Sequence, residues 1–135
     1  MPSSLSQGVK LFAVHWNAPA AAFQTDLVVF TAPFDCVLQS ANEVHAVLGT
    51  DGSAVNIQLT RDTGTQAPGA GTDLLANNSN AGFNMKAAVN TPQYATFKNG
   101  ASRRFARGDR LSLDFAGTHT AVAGTAITAV FNRLD

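Results

Sequence analysis

The sequence predicts an all-β protein: an antiparallel two-sheet sandwich, jelly-roll-like, with about eight strands and one long surface loop over residues 61–81. Apolar side chains recur at every second position in several short runs, as strands with one buried face require. Gly, Pro, Asn and Asp clusters separate those runs. No segment sustains the 3.6-residue period of a helix.

The elements follow in order. Phe12, Val14 and Trp16 alternate near the start. Residues 1–20 are read as an N-terminal arm or first strand, with residues 1–8 flexible, and 21–135 as the jelly-roll domain. Phe23, Thr25, Leu27 and Val29 alternate next, and the run turns apolar on both faces at 27–30, LVVF. A strand of that kind is central or lies in an interface. Ala32-Pro33 ends it before FDCVLQ. Gly49-Thr50-Asp51-Gly52 predicts a hairpin between a strand around 43–48 and one at 54–60. In the latter, Val55, Ile57 and Leu59 face one way, and Asn56, Gln58 and Thr60 the other, so the strand should be half-buried. The 61–81 loop, rich in Gly, Thr, Asn and Ala, holds the best helical candidate, one turn at Thr72-Asp73-Leu74-Leu75 capped by Thr72. Leu111, Leu113 and Phe115 point inward from a further strand, with Ser112 and Asp114 outward. Residues 117–124 lead to the last strand, where Ile127, Ala129 and Phe131 share a face. Periodicity leaves the pairing order open. An immunoglobulin-type sandwich is the alternative, without the Cys–Trp–Cys spacing that supports one.

Composition narrows the function. A chain of 135 residues, 45% of them hydrophobic, suits one domain with a real core. Only 13% are charged, about half the usual share. Such a surface suits a protein that lives in contact with another protein, or a secreted β-protein. The net charge is zero, without the basic excess that phosphate binding favours, so no nucleic-acid partner is expected. The one cysteine, Cys36, has no disulfide partner and reads as a small buried hydrophobe. The N-terminus lacks a signal-peptide pattern, and no run reaches the ~18 apolar residues of a membrane span. The expectation is a soluble product of a cytoplasm with no membrane partner.

Little in the chain looks chemical. His15, His45 and His119 do not stand at metal-ligand spacing and read as three unrelated surface or half-buried residues. The carboxylates are scattered, and neither a nucleophile elbow nor a phosphate-binding glycine loop appears. The chain reads as non-enzymatic, with no catalytic, metal-binding or cofactor-binding residues and no cofactor. Asn77-Asn78-Ser79 matches a glycosylation acceptor by chance. Arg107-Gly108-Asp109 matches an adhesion tripeptide, but Gly-Asp before a strand is ordinary turn punctuation. Alternation places Arg103 and Arg104 on opposite faces. The residues proposed for an interface are Trp16 as an aromatic anchor, Val28 and Phe30 from the strand apolar on both faces, and Arg103 and Arg104 for their planar forks.

Three stretches carry a resemblance: the DLL turn at 73–75, FARGDRLSLDFAGT at 105–118 and GTAITAVFNRL at 124–134. With VVFTAPFDCVLQS at 28–40 and the Gly-Thr-Asp-Gly segment, the chain resembles small tailed-phage virion proteins of jelly-roll type, the capsid decoration or cement proteins. The resemblance implies a homotrimer on the virion surface, seated on a phage head and clamping neighbouring major capsid protein subunits. It implies no particular contact residues. A phage tail-fibre tip or carbohydrate- or receptor-binding module is the alternative. That reading asks for exposed aromatic platforms, of which the chain offers Trp16 and Tyr94 besides phenylalanine.

Overall fold

The computed structural model describes residues 10–134. It is all-β, with two antiparallel five-stranded sheets, one of them curled into a half-barrel. The long strands are β1 (Leu11–Asn17), β2 (Leu27–Thr31), β3 (Cys36–Val44), β4 (Asn56–Asp62), β9 (Arg110–Ala116) and β10 (Ala126–Arg133). Between β4 and β9 run four two-residue strands: β5 (Thr72–Asp73), β6 (Phe83–Asn84), β7 (Gln93–Tyr94) and β8 (Arg104–Phe105). One sheet has the order β1-β10-β3-β7, with β8 also on β3; the other has β2-β9-β4-β5, with β6 also on β4. Pairings therefore nest: first with last, second with next to last, and inward. This is one long hairpin rolled into a sandwich, the jelly-roll connectivity. Residues 11–17, within the segment read as an arm or first strand, pair along their whole length with β10. The flexibility expected for residues 1–8 lies outside the described residues.

Inward-facing positions of both sheets form one core. Leu38, Ile57, Leu59, Leu111, Leu113, Ile127 and Phe131 are fully or almost fully buried. Phe131 is its aromatic hub: Phe12 stacks on it with ring centres 5.5 Å apart, and Phe30 and Phe105 lie at 4.8 and 5.3 Å. Cys36 is buried as expected, and desolvation, helped by the charges of Asp35 and Asp109, pushes its thiol up to about 11.

Four sequence expectations need correction. Gly49–Gly52 forms no hairpin, because β3 and β4 belong to different sheets. The segment is a crossing between sheets, with Gly49 N donating to Met85 O and Thr50 N to Thr120 O. Thr72–Leu75 is no helical turn: Thr72 and Asp73 pair with Arg61 and Thr60, and Leu74 and Leu75 enter the core. The described helical turn is instead α1 (Asn77–Asn80), and it is left-handed, with φ of 54°, 54° and 70° at Asn78, Ser79 and Asn80.

The third correction concerns β4 and β9. Asn56, Gln58, Thr60 and Ser112 are buried, not solvent-facing. The 63–82 excursion folds back over the polar face of β4, and that face is written to receive it. Gln58 Nε2 donates to Leu75 O and Asn80 O, while its Oε1 accepts from Leu75 N. The Asp62 carboxylate accepts from Gly69 N, Gly71 N and Thr60 Oγ1. At Gly71 and Gly82 a Cβ would collide with the carbonyls of Arg61 and Ile57, and Gly82 also has φ of 109°. Only glycine lets the returning backbone come so close. Fourth, His45 and His119 are fully buried rather than superficial or half-buried.

Candidate interaction surfaces

The five proposed interface residues are not brought together. Trp16 is half-buried and spends its ring within the chain, 5.7 Å from Phe23 and 6.1 Å from Phe115. Phe30 packs on Phe12 and Phe131. Val28 stays exposed. Arg103 lays its guanidinium 4.5 Å from the Phe97 ring centre and donates to Leu38 O. Arg104 meets Asp35 at 3.4 Å with both side chains well exposed, a pair worth about 0–1 kcal/mol. Trp16 and the arginines also sit toward opposite ends of the sandwich, since Trp16 pairs with Ile127 near one end of β10 and Arg104 lies beside Val37 near the other.

The adhesion-like tripeptide is a built turn. Gly108 has φ of 94°, and Gly108 N donates to Ala32 O. Asp109 Oδ2 accepts from Ala106 N at 3.0 Å and lies 3.6 Å from Arg61 Nη1. The aspartate thus closes its own turn, in keeping with the reading of Gly-Asp as strand punctuation.

The two ends of the sandwich differ in character. At one end the connections 18–26, 45–55, 85–92 and 117–125 are tied together by backbone bonds, among them Ala22 N to Val122 O, Val47 N to Ala123 O and Asn90 N to His45 O. That end exposes Val47, Leu48 and Val89 together with Pro19, Ala20 and Ala21. The opposite end gathers the connections 32–35, 63–71 and 106–109, where Arg107 N meets Asp35 and Arg110 reaches Gln66 O. It carries Arg61, Arg104, Arg107, Arg110 and Arg133 against Asp35 and Asp109. Alternation within strands could not reveal this polarity, because it depends on which connections share an end.

Beneath the apolar end lie two buried histidines. His45 Nδ1 is 2.9 Å from Glu43 Oε2, and its Nε2 is 2.8 Å from Ala87 O. Gln93 Nε2 donates to Glu43 Oε1 at 2.7 Å. Desolvation raises the Glu43 carboxyl above its usual range, against the opposing pull of His45. The arrangement pins the 85–93 segment to the end of β3.

His119 is different. Its ring stacks edge-on with Phe115, Nε2 is 3.2 Å from Ala116 O, and buried Nδ1 has no hydrogen-bond partner. Burial lowers its pKa below 6.5. As pH falls through 6.5 the unfolded chain takes up a proton that the folded protein refuses. The neutral ring's contribution is therefore complete above the unfolded value and is lost as pH falls through the folded one. His119→Phe should flatten the fall of stability below pH 6.5. Urea midpoints of both proteins across that range check this; parallel pH profiles would refute it.

A shallow groove of about 470 Å³ opens between α1 and the 96–99 segment, lined by Ala76, Asn80, Thr96, Phe97, Lys98 and Asn99. Sequence reasoning missed it, because it depends on 74–82 folding back beside 94–99, where Asn77 binds both Tyr94 O and Thr96 N. Among the described residues no three His, Cys, Asp or Glu side chains group as a metal site. No described helix is long and apolar enough to cross a membrane. The fold thus defines an antiparallel jelly-roll sandwich with one apolar and one arginine-bearing end. No protein-family model, curated protein or solved structure matches the chain.

Proposed function

We propose that this chain is a structural virion protein, a decoration or cement protein that sits as a homotrimer on the outside of a phage head and bridges major capsid subunits. The observation that carries this reading is the exposed apolar end, where Val47, Leu48 and Val89 stand with Pro19, Ala20 and Ala21. An exposed cluster of this kind suits burial against protein. The resemblance of residues 28–40 and 105–134 to such virion proteins points the same way. The mechanism is added interface. A seated trimer touches several shell subunits, and their separation must break several contacts together, so modest contacts give tight capture.

Two measurements test it. Light scattering should give three chains per particle, and the protein should pellet with expanded phage heads. Val47→Asp, a change at an exposed position, should weaken pelleting by about tenfold or more while leaving the thermal melt in place. A strictly monomeric protein that stays in the supernatant would overturn the proposal.

A further inference from the structure

We propose that the groove between α1 and residues 96–99 binds an acidic saccharide. Its volume of about 470 Å³ falls within the usual range for small-molecule sites. Its polar lining is uncommitted. The amides of Asn80 and Asn99, the Thr96 hydroxyl and the Lys98 ammonium make no side-chain hydrogen bond within the described residues. The neighbouring amides behave otherwise. Asn77 bonds Tyr94 O and Thr96 N, Asn78 bonds Asn56, and Asn84 Oδ1 accepts from Lys86 N. Amides that build the fold are thus spent on it, and those facing the groove are not.

The groove is also held in shape from both sides. Three consecutive non-glycine residues, Asn78 to Asn80, occupy the left-handed region, which a side chain bearing a Cβ adopts only at a cost. They are kept there by Asn78 Nδ2 on Asn56 Oδ1 and by Gln58 Nε2 on Asn80 O. The other wall is tied to the first by Ala76 N on Thr96 O at 2.6 Å. Fixed walls remove the ordering cost that weakens shallow sites.

The chemistry selects the ligand. Sugar hydroxyls both donate and accept, and two primary amides and a hydroxyl offer both functions. Lys98, with the Arg103 guanidinium over Phe97, adds positive charge that favours a carboxylate.

The test uses the full chain, isotope-labelled for amide NMR, titrated with a galacturonic-acid trisaccharide and separately with the neutral galactose trisaccharide. The acidic sugar should shift the amides of Thr96–Asn99 and Asn78–Asn80 with a Kd on the order of 1 mM, about tenfold tighter than the neutral one. Asn99→Ala should lose binding to both. Lys98→Gln should bind the two alike, and both variants should keep the parent thermal melt. The site is independent of the capsid reading: Asn99→Ala should still pellet with phage heads, so either idea can fail alone. No localised shifts with either sugar at about 20 mM, or shifts unchanged in Asn99→Ala, would overturn the proposal, and a preference that survives Lys98→Gln would overturn its acidic part.

Discussion

Phe131→Ala is expected to lower the free energy of unfolding by about 4 kcal/mol. The ring is fully buried toward the C-terminal end of β10 and touches aromatic rings from three other segments: Phe12 from β1, Phe30 from β2 and Phe105 from β8. Phe12 and Phe105 belong to the sheet of Phe131, while Phe30 belongs to the facing sheet. The hole left by alanine would therefore open between the layers, where aromatic rings on stiff strands cannot collapse into it. Denaturant unfolding followed by fluorescence and circular dichroism measures the loss. A cost below about 2 kcal/mol would show that the core repacks, and that the aromatic hub is not what joins the sheets.

Gln58→Leu should cost about 3 kcal/mol although it replaces a polar core residue with an apolar one of similar size. Gln58 is 4% exposed, and its amide serves Leu75 N, Leu75 O, Asn80 O and Leu59 N at 2.8–3.1 Å. Leucine leaves Leu75 N, Leu75 O and Leu59 N buried without that partner, and an unpaired buried group costs about 1–3 kcal/mol. The damage should be local first. Amide exchange should accelerate across 63–82, at Leu75 above all, before β4 and β9 open. Uniform acceleration through both sheets, or a cost under about 1 kcal/mol, would mean that the excursion is held by Leu74 and Leu75 in the core and not by the amide.

How much could be read from the residues varies along the chain. The alternation of Leu111, Leu113 and of Ile127, Ala129, Phe131 was sufficient, since a period of two leaves a single way to bury those side chains. The same reasoning gave the wrong surroundings for Asn56, Gln58 and Thr60. Polar side chains on alternate positions look alike whether they face water or a returning backbone that they bind. The Asn-rich stretch 77–80 has a composition that tolerates left-handed backbone, but composition does not say that three successive residues will adopt it. Of the proposed interface set, Trp16 and Phe30 place their rings against partners inside the chain, because a run apolar on both faces looks alike whether the second face meets another subunit or the chain's own core.

Residue order alone settled that this polypeptide forms pleated sheets with an apolar layer between them, because each strand's periodicity is a local property of its own side chains. Tertiary structure decided which strands pair, that Gly49–Gly52 crosses between sheets instead of turning within one, and that exposed Val47, Leu48 and Val89 gather at one end and arginines at the other. Those outcomes depend on contacts between segments far apart in the chain, such as β1 with β10 and residues 74–82 with 94–99, and a local pattern carries no record of its distant partner.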